Sequence, residues 1–413
     1  MATDHVLGLL LGIEDDWPAT FEALMRRLPT SFRHRGADHR IAVERITIEP
    51  FDLRSTPRYG LVVDRLGWWY NLPREWLKKV ALMDGVYLLN NPFTFQAMEK
   101  HSAYCALMRL GLRVPTTWMV PHKQPPDDNP RFAGTAERYN LAFDLEAVGE
   151  RVGYPLYMKP FDGGAWVGVT RVANAAELHA AYDGSGERLM HMQASVEGYN
   201  VFVRSLSVGA ETTCMRYDPG RPLHDRYTVD HGFLDEKTGD EAVTTSRMVN
   251  ALFRWELNSC EMLVRDGIVY PIDYANASPD LALTSLHYYF PWAIAALVRW
   301  SIFCLVTGRR MQVDQDLARW MRVADDPSLD HDGRLTAYRR LADRHFDVER
   351  YRAFVDRHLP MVDGVMAELV LSPEFDDILV RTVLSTFPPH EHEKFITHYR
   401  GLLHAWAHER LAA

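Results

Sequence analysis

The sequence predicts a mixed α/β protein with α+β character, opening on an open α/β layer and closing on an all-helical extension. Three observations carry that reading. Residues 1 to about 95 alternate strand-like and helix-like runs. Residues 141 to 290 mix several strands with short helices, and beyond about residue 290 nearly every window has helical spacing.

The elements follow in order. "HVLGLLLGI" reads as a buried strand, and "WPATFEALMRRL" as a helix with Phe21, Leu24, Met25 and Leu28 on one stripe. "IAVERITIE" and "YGLVVDRL" alternate like strands, "PREWLKKVALM" is helical, and "GVYLLNNP" returns to strand. A second unit begins near Asn91. There "AMEKHSAYCALMRLGLRVPTTWMVP" gives a helix with Ala103, Leu107 and Leu110 on one stripe, a C-cap at Gly111, and a strand entered through Pro115. "HKQPPDDNPRFAG" is a polar, proline-rich connector. The most apolar stretch, "YYFPWAIAALVRWSIFCLV", carries Pro291 and Arg299 and reads as a buried helix rather than a membrane span.

Bulk properties narrow the function. The 413 residues suffice for two or three domains, and a net charge of −9 argues against a nucleic-acid-binding surface over the whole molecule while leaving room for a local basic pocket. Cys105, Cys214, Cys260 and Cys304 form no CxxC pair and read as reduced thiols of a cytoplasmic protein. The N-terminus has no basic leader and no small-residue cleavage site. No membrane or nucleic-acid partner is expected.

Two segments could carry chemistry. In "YPLYMKPFDGGAWVGVTRV" an apolar strand delivers Lys159, with Tyr157 on the same face, into a loop holding Gly163, Gly164, Trp166 and Gly168. Glycines let backbone N–H groups turn toward phosphate oxygens, although the stretch matches neither GxxxxGK[ST] nor GxGxxG. A plain hairpin is the alternative. The second segment, "CEMLVRDGIVYPIDYANASPD", turns at Asp266-Gly267. A three-residue loop, Arg265 to Gly267, would set Glu261 and Asp273 on one face, roughly 7–8 Å apart. A two-residue turn would set them on opposite faces. With Asn276 these are hard oxygen ligands suited to Mg²⁺; the alternative is a solvated hairpin with charged ends.

Together and in this order, these pieces resemble the ATP-grasp superfamily, which includes D-alanine–D-alanine ligase and glutathione synthetase. The resemblance runs from about Asn91 to Asp280. "MEKHSAYCALMRLGLRVPTTW" is similar to the family's Lys-bearing helix and the strand after it, and "YPLYMKPFDGGAWVGVTRV" to its Gly-rich hairpin. "MHMQASVEGYNVFVRSLSVG" is similar to its hinge, and "IDYANASPD" to its metal strand. The resemblance implies an N-terminal α/β domain over 1–95, a two-subdomain ATP-grasp fold with antiparallel sheets over 96–192 and 193–290, and a helical extension over 291–413. The extension would wall the site or form a homodimer contact.

The resemblance also implies roles. Lys100 and Lys159 would reach ATP phosphates, and Gly163, Gly164 and Trp166 would form a lid over them. Gln193, Ala194 and Val196 would line the adenine, and Asn200 would meet the ribose where an acid is usual. Glu261, Asp273 and Asn276 would bind Mg²⁺, with Mn²⁺ as a substitute. Two departures stand out. Asp273 and Asn276 are one residue further apart than the family's acidic–x–Asn, and Ser259 stands where an arginine is expected, leaving Arg204 and Arg216 as the favoured catalytic replacements. The activity implied is an ADP-forming carboxylate–amine ligase acting on small molecules. The alternatives are an ATP-grasp phosphotransferase and a non-catalytic nucleotide-binding regulator.

Overall fold

The computed structural model describes all residues except 1, 95–99, 125–130, 132, 133, 135–137, 139–142, 165 and 413. The chain forms two units: Met1–Phe95 with Arg204–Ser259 and Ala277–Ala413, and Gln96–Val203 with Cys260–Asn276.

In the first unit a five-stranded sheet has the order β2 (Ser31–His34), β3 (Ala37–Arg45), β1 (Ala2–Leu10), β4 (Leu61–Asp64), β5 (Tyr87–Leu89). β1 runs parallel to β3 and β4, and β4 parallel to β5. Parallel neighbours need crossovers, which α1 (Asp16–Arg27) and α2 (Asn71–Met83) provide. β4 is buried along its whole length, as its unbroken Leu-Val-Val run requires. The strand expected over "IAVERITIE" instead starts at Ala37 and ends at Arg45. Ile46 still donates its N–H to the Leu9 carbonyl at 2.8 Å, and Ile46 and Ile48 pack against the cluster holding Trp76, Leu77 and Val80. β2 pairs with β3 through an Arg35-Gly36 turn, both residues at positive φ.

The expected apolar helix spans Phe290–Thr307 and is preceded by the short helix Leu283–Leu286. Leu283–Thr307 is long and apolar enough to cross a membrane, but 89% of its apolar window is buried inside the protein. Its one charged side chain, Arg299, is neutralised by Glu211 at 2.7 Å and Asp363 at 2.6 Å. The C-terminal stretch is helical, as expected, through Leu317–Ala324, His331–Phe346, Val348–His358, Val362–Val370, Pro373–Thr386 and His392–Ala412.

The second unit holds a four-stranded antiparallel sheet, β6 (Thr117–Val120), β9 (Met190–Ala194), β7 (Leu156–Pro160), β8 (Thr170–Val172). With it are α3 (Lys100–Arg109), α4 (Leu145–Val152) and α5 (Ala175–Asp183). Asp144 caps α4 and Asn174 caps α5, each accepting a first-turn backbone N–H. Leu156, Met158 and Met192 bury one face of the sheet with Leu178 of α5. The alternation of β7 and β9 leaves Tyr157, Lys159, His191 and Gln193 for the other face. A further sheet runs β12 (Tyr227–Thr228), β11 (Glu211–Tyr217), β10 (Val201–Val208), β13 (Leu257–Arg265), β14 (Ile268–Asn276). β10 and β13 pass from one unit into the other along their length.

Candidate active site

The second unit gathers most of the residues singled out in the sequence. Antiparallel register sets Lys159 opposite His191 and Tyr157 opposite Gln193. The Lys159 ammonium donates to Gln193 Oε1 at 2.7 Å, and Gln193 Nε2 donates to Thr117 Oγ1 at 2.9 Å. Lys159 also lies 3.4 Å from the Ile272 carbonyl, which accepts the Tyr104 hydroxyl at 2.7 Å. Burial pushes the Lys159 ammonium down to about 8, against the upward pull of Asp273 and Glu261. Burial likewise pushes the Tyr104 phenol up, with the charges of Asp273 and Glu261 adding to it.

Lys100 opens α3, where its backbone N–H donates to the Phe161 carbonyl at 2.9 Å. Its ammonium donates to the Gly163 carbonyl at 2.6 Å and lies 3.3 Å from Asp273 Oδ2. Two lysines, one on a helix and one on a strand, thus converge on the same carboxylate neighbourhood. Both are buried, so neither is there as a solvated surface charge.

The late hairpin turns differently from the three-residue loop considered above. β13 ends at Arg265 and β14 starts at Ile268, with Asp266 at φ 52° and Gly267 at φ 72°, a two-residue turn of the primed type. An unbroken ladder from that turn would face the Ile272 carbonyl toward Glu261 and set Glu261 and Asp273 on opposite faces. The Ile272 carbonyl accepts from Tyr104 and Lys159, and Pro271, with no N–H to give the ladder, lies between the turn and Asp273. The charges of Glu261 and Asp273 both act on Lys159 and on Tyr104.

The loop between β7 and β8 holds Gly163 at φ 81°, Trp166 at φ 64° and Gly168 at φ 73°. A Cβ at Gly163 or Gly164 would meet nothing within 4 Å, so close packing does not explain these glycines. At Gly163 the positive φ does. Trp166 sets its ring edge-on to Tyr157, with centroids 6.5 Å apart.

The remaining expected residues fall as follows. Ala194 gives its backbone N–H to the Thr116 carbonyl at 2.9 Å, and Val196 is buried. Asn200 is exposed; its N–H donates to Val264 O at 2.7 Å and its Oδ1 accepts the Asp266 N–H at 3.0 Å, so its amide braces the hairpin turn. Asn276 ends β14 half-buried, as is Glu261 on β13. Arg204 and Arg216 belong to the first unit. Arg204 lies over the Tyr217 ring at 5.3 Å, and Arg216 is exposed and paired with Asp230 at 3.0 Å.

Three groups at the site went unnoticed in the sequence: Tyr104, His101 and His191. Strand alternation sets His191 on the same face as Gln193.

The donor set fits a magnesium–phosphate ligand. Asp273 Oδ1 is buried with no hydrogen-bond partner among the described residues, while its other oxygen faces Lys100. A carboxylate oxygen without a partner beside two ammonium groups suits a divalent cation bridging to phosphate.

No family model matches the chain, and no curated protein matches it. Among solved structures it is similar to D-alanine–D-alanine ligase from Bacillus anthracis complexed with ATP, at 13% identity and a TM-score of 0.47, covering 78% of this chain and 99% of that one. It is also similar to a RimK domain protein ATP-grasp from Sphaerobacter thermophilus, at 14% identity and a TM-score of 0.45, covering 71% and 97%. A third is the D-cycloserine synthetase DcsG, at 16% identity and a TM-score of 0.46, covering 71% and 98%.

Proposed function

We propose that the chain is an ATP- and Mg²⁺-dependent ligase of the ATP-grasp type, joining a small carboxylate to an amine in the cytoplasm. The observation that carries this reading is the convergence of Lys100 and Lys159 on Asp273 and the Ile272 carbonyl, with Lys100 tied to the glycine-rich loop. A carboxylate oxygen of the substrate attacks the γ-phosphorus, the bond to the β-bridging oxygen breaks, and ADP leaves. The amine nitrogen then attacks the acyl carbon, phosphate departs, and the nitrogen loses a proton.

Such chemistry needs charge neutralisation and alignment more than covalent help. The Lys100 ammonium would exchange the Gly163 carbonyl for a phosphate oxygen, and Lys159 would exchange Gln193. Freed from Lys100, the loop carrying Gly163, Gly164 and Trp166 would close and exclude water from the acyl-phosphate. Asp273, Glu261 and Asn276 would hold Mg²⁺, which neutralises phosphate charge when bound. Gln193, Ala194 and Val196 would border the base. Arg204 and Arg216 are the candidates for steadying the tetrahedral intermediate.

Acid-stimulated phosphate release from ATP, screened over amino acids and small carboxylic acids with and without amine, tests the reading. A condensed product with ADP and phosphate is expected. Ser259, at the place of the usual arginine, favours a second reading as a phosphotransferase, which would yield ADP and a stable phosphorylated acceptor instead.

A further inference from the structure

His191 is a buried polar group of the site that none of the roles above uses. His191 is 1% exposed, directly opposite Lys159 in the β7–β9 pair, and its Nδ1 is buried with no partner among the described residues. Its Nε2 lies 3.3 Å from His101 Nδ1, and the two rings stack with centroids 5.5 Å apart at 12°. Tyr104 closes the edge of the imidazole at 5.4 Å. His101 Nε2 in turn lies 3.6 Å from the Cys105 sulfur.

The hydrogen bonds order these three groups. With the Cys105 thiol as donor to His101 Nε2, the His101 proton sits on Nδ1 and is donated to His191 Nε2; the reverse order would leave His191 Nδ1 without a proton. In the first order a neutral His191 must carry its own proton on Nδ1, the atom left without an acceptor. Burial, and then the charges of His101, Lys159 and Lys100, push the imidazole down to about 3, so it is neutral throughout the physiological range. A donor without charge suits this place, because a third cation beside two ammonium groups would repel both.

We propose that His191 is a third phosphate-binding group, donating its Nδ1–H to the phosphate chain beside Lys159. This rests on the nucleotide reading above and adds a residue to it. The relay through His101 to Cys105 makes those two positioning residues that set the tautomer.

The test compares Mg·ATP and adenosine binding by calorimetry for the unaltered protein and for His191→Leu, His191→Asn and His191→Gln, with thermal melting of each ligand-free variant. Asparagine places an N–H where Nδ1 stood, and glutamine where Nε2 stood. His191→Leu is expected to weaken Mg·ATP binding roughly tenfold or more, as for the loss of one hydrogen bond to a charged group, and to leave adenosine binding unchanged. His191→Asn should recover most of the affinity and His191→Gln little. Nitrogen-15 NMR of the ligand-free protein should find the His191 proton on Nδ1. Unchanged Mg·ATP affinity in His191→Leu overturns the proposal, as does a proton on Nε2, or equal defects in all three variants that extend to adenosine. If the unaltered protein binds no Mg·ATP, the nucleotide reading itself fails and takes this proposal with it.

Discussion

Lys159 makes the nucleotide reading quantitative, because its proton should follow the ligand. Burial holds the ammonium near 8 instead of 10.5 in the ligand-free protein. Phosphate oxygens in place of Gln193 would restore it toward its ordinary value, so binding above pH 8 must take up a proton. At about pH 9 the free protein holds Lys159 roughly nine-tenths neutral and the complex nearly fully charged, an uptake of about 0.9 proton per nucleotide. At about pH 6.5 the uptake is near zero. Calorimetry of Mg·ATP binding in two buffers of different ionisation enthalpy measures it directly. The same group sets a stability trend. Below pH 8 folded and unfolded states both carry the proton and the full burial cost applies. Between 8 and 10.5 the unfolded chain holds more protons, so stability from this group rises with pH, by roughly 3 kcal/mol across the window. Zero uptake at about pH 9, or the same uptake in Lys159→Met, would refute the reasoning.

Asp273→Asn removes the carboxylate whose Oδ1 has no partner, and should cut Mg²⁺-dependent phosphate release by about 100-fold or more, measured in a coupled phosphate assay. Arg299→Met leaves Glu211 and Asp363 facing each other around a buried position; urea unfolding should show a loss of about 3–5 kcal/mol, with part recovered in Arg299→Met/Glu211→Met. Gly209→Ala would set a Cβ 2.0 Å from the Trp300 ring at φ 54°, and should cost about 2–4 kcal/mol by the same measurement.

What could be seen in the sequence was what is local. The lysine at the end of β7 and the glycines after it stand side by side in the chain, so the loop and its charge were legible together. The buried helix over Phe290–Thr307 was legible because its apolar run is continuous. The Asp266-Gly267 turn was legible as a turn, but not in length: Asp266 itself takes the left-handed conformation, which shortens the loop by one residue. The surroundings of Asp273 could not be read locally either, since Tyr104 and Lys159 both reach the neighbouring Ile272 carbonyl. Those contacts join residues more than a hundred positions apart, as does the discontinuous second unit. Alternation puts His191 on the face of Gln193, but only the β7–β9 register sets it opposite Lys159. The Asn200 Oδ1 that accepts the Asp266 N–H braces the hairpin turn, a bond that no spacing rule foretells.

The most direct measurement is a crystal structure of the protein with Mg²⁺ and a non-hydrolysable ATP analogue. The ammonium groups of Lys100 and Lys159 should have left the Gly163 carbonyl and Gln193 for phosphate oxygens, with Asp273 Oδ1 on the metal. A nucleotide bound elsewhere, with both lysines still on their ligand-free partners, would contradict the account.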